Sequence, residues 1–168
     1  MAYQFFVAIK GKKQGPFKGE SQLDAHKSKI EGLAFEYEVK SPRDLATGHA
    51  SGKRQHQPIT IVKEWGAATP QLFTACVTNE VLPEVTFEFI KTNKNGEEYT
   101  FHKIKLTDAT ISTVRQFTSG GTDGASSAKH SSSGDTRELE AVSFVFRKIE
   151  VENTDGKTAA ADDWHSAS

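Results

Sequence analysis

Apolar residues recur at every second position through nearly every apolar segment of this chain, and a single segment breaks that rhythm. Period two is the spacing of side chains along one face of a strand, so the chain is held to a mainly β fold whose strands each bury one face. Tyr3 to Ile9 sets Phe5, Val7 and Ile9 on one side. Lys29 to Lys40 alternates most cleanly: Leu33, Phe35, Tyr37 and Val39 point one way, and Ala34, Glu36, Glu38 and Lys40 the other. That pattern predicts a half-buried antiparallel strand with a wet face. Pro58 to Val62 is a short strand around Ile59 and Ile61. Glu84 to Ile90 opposes Val85, Phe87 and Phe89 to Glu84, Thr86 and Glu88. Asn93 to Gly96 is the strongest turn signal, because Asn-Gly tolerates the positive φ of a tight hairpin. In the return strand, Glu98 to Leu106, the phase slips between Tyr99/Phe101 and Ile104/Leu106, which predicts a bulge near His102-Lys103. Asp108 to Phe117 alternates more weakly through Ala109, Ile111 and Val114. Glu138 to Val151 runs through Val142, Phe144 and Phe146, slips at Arg147-Lys148, and resumes with Ile149 and Val151.

The exception follows Trp65. Thr69 is placed to cap a helix, and Pro70 suits its first turn, where a missing N–H costs nothing. Leu72, Phe73, Cys76 and Val77 then share one face at helical spacing. Asn79 and Glu80 close the helix and Pro83 prevents its resumption. Seven or eight strands joined by hairpins, one helix and no βαβ rhythm imply an antiparallel barrel or sandwich, in one domain for 168 residues. The edges of such strands need closure into a barrel or a neighbouring subunit to cover them. Two stretches lack any apolar period. Ser41 to Gln57 reads as an unusually long loop, of the kind that is usually functional. Ser119 to Asp135 is Ser/Gly-rich and is expected as a mobile loop. Asn153 onward reads as a polar tail ending in Trp164-His165.

Chemistry is harder to find. A net charge of -1 gives nucleic-acid binding no global support. No apolar run approaches the roughly 20 residues that span a bilayer, so no membrane insertion is expected. The first ten residues lack the basic segment and cleavage site of a secretory signal. Cys76, the sole cysteine, excludes an internal disulfide and reads as a buried thiol. The six histidines show no compact ligand spacing. No Gly-x-Ser-x-Gly elbow and no phosphate loop is present. Glu36/Glu38 and Glu84/Glu88 lie on polar strand faces, and Lys10, Lys12, Lys13 and Lys18 read as an exposed turn. No catalytic residue, metal or cofactor is therefore expected, and the chain does not read as an enzyme.

One stretch carries more information than its pattern. Ser51-Gly-Lys-Arg54, His56, Pro58-Ile-Thr-Ile, Lys63, Ala68-Thr-Pro-Gln-Leu72 and Ala75 closely resemble the signature region of the Hcp family, the haemolysin-coregulated tube subunits of the bacterial type VI secretion system. The resemblance covers residues 1–152. It implies an antiparallel two-sheet β-barrel with one short α-helix on its flank and a long extended loop, followed by a short polar tail over 153–168. It further implies hexameric rings that stack into a tube inside a contractile sheath, beneath a VgrG-type spike protein, with small effectors in the lumen. The family is cytoplasmic before firing and is secreted without a signal peptide. On this reading the candidate assembly residues are Arg43, Gly48, Ser51, Lys53, Arg54 and His56. Arg54 and His56 would fix the loop-to-strand turn or make a subunit contact. The alternative is a monomeric β-sandwich that binds carbohydrate or peptide, with Trp65, Trp164 and Phe117 as its candidate aromatics.

Overall fold

A computed structural model describes residues 4–19, 21, 29–118 and 137–164. The Ser119–Asp135 loop and His165 lie outside them. The chain opens with β1 (Gln4–Gly11), turns back through β2 (Gly15–Pro16), and continues with β3 (Ile30–Gly32) and β4 (Ala34–Glu36). β5 (Val39–Lys40) and β6 (Gln55–His56) form a separate two-stranded ribbon. Next come β7 (Ile59–Glu64), the helix α1 (Thr69–Val77), β8 (Leu82–Thr92) and the long β9 (Glu98–Thr118). β10 (Glu138–Val145), β11 (Lys148–Asn153) and β12 (Thr158–Asp163) complete the chain.

All strand pairings among the described residues are antiparallel. β2, β1, β8, β9, β10, β7 and β4 are hydrogen-bonded in that order, while β11 pairs with β9 and carries β12. The barrel has two sheets, and three runs of chain pass between them. The first is β9. Its residues 98–109 pair with β8, and residues 102–107 also pair with β11; residues 110–118 pair with β10. Asp108 marks the change with φ 51, a left-handed value that few side chains other than Asp and Asn adopt. The two strands read as Glu98–Leu106 and Asp108–Phe117 are thus one bent strand. The phase slip within it is real: Phe89 faces His102 and Ile90 faces Thr100, so the extra residue is Phe101, one place before the expected bulge.

The slip at Arg147-Lys148 is a corner. β10 pairs with β7 and β9, and β11 restarts against the other half of β9. Lys29 to Lys40, expected as one strand, also changes partner. Ile30–Gly32 pairs with β1, Leu33 donates its N–H to the Val62 carbonyl (2.8 Å), and Ala34–Glu36 pairs with β7. This crossing run joins the two edges of the barrel. Gly32 is required there, since a Cβ would sit 2.1 Å from the buried Phe5 ring. The change of partner also explains why Leu33 and Val39 are exposed rather than buried with Phe35 and Tyr37.

The helix docks differently from expectation. Its buried residues are Leu72 and Ala75, with Ala68 just before it, whereas Phe73 and Val77 face outward. Small residues let the helix axis approach the sheet closely, so one Leu between two Ala suffices. Ala68 is the N-cap and no side chain caps the helix; Thr69 is its first residue and points its hydroxyl elsewhere. At the other end Asn79 has φ 54, and the Glu80 N–H reaches the Ala75 carbonyl (3.0 Å), the closing bond of a Schellman motif. Buried Glu80 then accepts the N–H groups of Lys13 and Gln14, tying the lysine-rich turn to the helix.

The segment expected as a polar tail is a strand. After the Asn153–Lys157 turn, β12 pairs with β11 over its whole length. It brings Asp162 opposite Ile149, on the inward side of the sheet.

Candidate assembly arm

Ser41 to Gln57 is not a shapeless loop. Val39-Lys40 pairs with Gln55-His56, Arg43 bridges Ala50, and Ser51 donates its N–H to the Pro42 carbonyl (2.9 Å). The result is a hairpin arm. Its tip turns at Asp44–Gly48: the Asp44 carboxylate accepts the Ala46 N–H (2.8 Å), and Gly48 has φ 75, which its missing Cβ permits. Residues 43–53 are exposed throughout, and Leu45 is fully so.

The arm is hydrogen-bonded to the body at its root. Residues 54 and 56 lie two apart in extended chain and so project to the same side. Arg54 donates its Nε–H to Asp162 Oδ2 and its Nη2–H to the Asp163 carbonyl (2.7 Å). His56, with only 4% of its side chain exposed, places Nε2 2.6 Å from the same Asp162 oxygen and Nδ1 2.6 Å from the Tyr37 hydroxyl. The ring lies against Phe146 and Trp164. Hydrogen bonding from Arg54, and secondarily from His56, holds the Asp162 carboxyl below its usual range. Burial, with the Asp162 charge in second place, raises the Tyr37 hydroxyl. An ionised Asp162 only accepts, so the His56 Nε2 faces it as a donor, while Nδ1 and the Tyr37 hydroxyl share the second hydrogen bond.

A second ionic cluster lies at the far end of β7. Lys63 and Glu140 are cross-strand partners, and their side chains meet at 2.7 Å with almost no exposure. Lys63 Nζ also donates to the Glu64 carbonyl (2.7 Å). The Thr69 hydroxyl donates to Glu140 Oε1 (2.9 Å), which sets a carboxylate against the first residue of α1. Anions are favoured at a helix N-terminus, and the first turn of α1 carries no acid of its own. Trp65 Nε1 donates to the Leu139 carbonyl (2.7 Å), so this aromatic packs at a strand end.

Of the six candidate residues, Arg43, Gly48, Ser51 and Lys53 lie on the exposed arm, and Arg54 and His56 are engaged within the chain at its root. Arg54 and His56 are thus bonded to Asp162, the Asp163 carbonyl and Tyr37 just before β7. Sequence reasoning missed Asp162 and Tyr37 as their partners. Asp155-Gly156 was a usable signal, since Asp-Gly after a strand announces a hairpin and hence β12. Trp164 caps the His56 ring and Phe117 lies under the Arg115 guanidinium, so neither stands free at a loop tip. Among the described residues no three of His, Cys, Asp and Glu gather as a metal site.

Comparison with known proteins agrees with this architecture. The sequence model described as type VI secretion system effector, Hcp, matches residues 6–152. A major exported protein of Pseudomonas aeruginosa is 28% identical, over 99% of this chain and 98% of the relative. A solved Hcp protein superposes with TM-score 0.79 at 26% identity, covering 96% of this chain and 99% of that one. The secreted protein Hcp3 of Pseudomonas aeruginosa shares the fold, with TM-score 0.75 at 24% identity over 98% and 100% of the two chains. With its barrel, flanking helix and projecting arm, the chain belongs to the Hcp family and is a secreted tube component of the type VI secretion system.

Proposed function

We propose that this chain is a ring-forming tube subunit without catalytic activity. Six copies close into a ring, rings stack into the inner tube of a contractile sheath beneath a VgrG-type spike protein, and small effectors ride in the lumen. The tube assembles in the bacterial cytoplasm and leaves without a signal peptide when the sheath contracts. The arm is the observation that carries this reading. Among the described residues the barrel has no comparable extension. The arm is ordered along its length and ends in the exposed Leu45. Arg43, Gly48, Ser51 and Lys53 line the contact with the next ring, while Arg54 and His56 hold its root.

Light scattering tests the ring. Particles of six times the 18.4 kDa chain mass are expected, and a monomer across a broad concentration range sinks the proposal. Negative-stain images test the stacking. Removing residues 44–49 and closing the arm with Asn-Gly leaves rings that no longer form tubes. Tubes of normal length from that variant would take the arm out of the stacking contact.

A further inference from the structure

We propose that β12 is the strut of the arm and that Asp162 is the positioning residue through which it acts. By binding Arg54 and His56 on one oxygen, Asp162 sets the direction in which the arm leaves the barrel. This inference rests on the arm being the ring-to-ring contact.

The ribbon formed by β5 and β6 is a sheet of its own, two residues long on each side, with no ladder to the barrel among the described residues. Its backbone bonds, Gln57 to Glu38 and Ser51 to Pro42 among them, stay within the arm. Among the described residues, every hydrogen bond that ties residues 38–57 to the body runs through Arg54 or His56. The partners are Tyr37, Asp162 and the Asp163 carbonyl. Tyr37 packs on the core beside Phe146 and holds His56 alone, whereas β12 holds both Arg54 and His56 and is the anchor they share. That strand is itself braced. It pairs residue by residue with β11, which pairs with β9, and Arg147 joins its last residue, Asp163, to Asp108 at the bend of β9 (2.6 and 3.0 Å). A short two-stranded ribbon is marginal alone, so a clamp at its root decides whether the tip is presented at one angle or many.

The test uses the full-length chain with Asp162→Ala and, as a milder variant, Asp162→Asn. Amide exchange is followed at residues 52–57 and in β7 and β10, and the products are counted as rings or tubes. With Asp162→Ala, exchange at the root rises by about tenfold or more while β7 and β10 keep their protection. Rings persist and tubes are lost, and Asp162→Asn, which keeps an acceptor oxygen, falls between. Unchanged exchange at the root overturns the strut, whatever happens to assembly. A loosened root with normal tubes overturns the positioning role. In that event the shortened-arm variant separates the two ideas: if it also forms tubes, the arm is no stacking contact, and if it does not, only the strut fails. Should Asp162→Ala not fold, Asp162→Asn is judged by the same criteria.

Discussion

Two ionic clusters bracket β7. Before the strand, Arg54, His56 and Asp162 meet where a quarter to a third of the Arg and Asp side chains is still in contact with water. At its end, Lys63 and Glu140 meet with 1% and 0% exposure. The first cluster is saturated with donors. The second leaves Glu140 Oε2 with no hydrogen-bond partner, so its remaining bonds matter more. A half-wet cluster is screened by solvent and contributes little to stability. A dry one is costly to assemble and costlier to break. The same ionic chemistry thus sits in two settings: Lys63 and Glu140 join β7 to β10 beside the first residue of α1, and Arg54 and His56 join the arm to β12.

Substitutions can break this contrast. The largest effect belongs to Lys63→Ala, which strands a buried carboxylate and lowers unfolding free energy by about 3–5 kcal/mol in a denaturant titration. Replacing both partners together, Lys63→Met with Glu140→Leu, brings the loss back to near zero or better. A double variant as unstable as the single one would show that packing, not charge, is at stake. Next, Thr69→Val removes one hydrogen bond to that carboxylate and costs about 1.5–3 kcal/mol. Asp162→Asn ranks below both: thermal melting moves by no more than about 3 °C. A shift as large as that of Lys63→Ala would erase the distinction between the clusters.

The smallest effect is one of acidity. Because the Asp162 carboxyl is lowered on folding, its contribution is complete above the ordinary value of 3.8 and fades only as pH falls through the lower folded value. Arg54, His56, Tyr37 and, through Asp163, Arg147 are the charged or titratable groups around it. A carboxyl titration followed by NMR should thus place the Asp162 midpoint below the ordinary value of 3.8. A midpoint at or above it would remove the clamp's electrostatic basis.

Much of the barrel was legible because its strands bury one face each. Val85, Phe87 and Phe89 announced β8, and Asn93–Gly96 announced its turn. Both phase slips marked places where the chain works at a sheet change or bulge. The pattern failed where a strand changes partner within three residues, as at Leu33, and where a helix docks through Ala and not through large side chains. Parity alone also points to the dry ion pair. Lys63 falls in step with Ile59 and Ile61, and Glu140 with Val142 and Phe144, so the alternation itself puts opposite charges at inward positions of two strands. The root of the arm was only half legible. Arg54 and His56 are conspicuous in the sequence, but Asp162 lies 108 residues from Arg54, in a segment made mostly of Ala and Asp, which have little β propensity. Tertiary pairing alone makes that segment a strand.

β9 has a mechanical consequence. Its 21 residues are bonded to β8, β11 and β10 in turn, so one uninterrupted length of backbone belongs to both sheets. A pull along this strand is resisted by rows of hydrogen bonds loaded side by side in shear, and they must yield together. A peeling force meets them one at a time. A subunit loaded along β9 is therefore far stiffer than one whose strands are peeled apart across it.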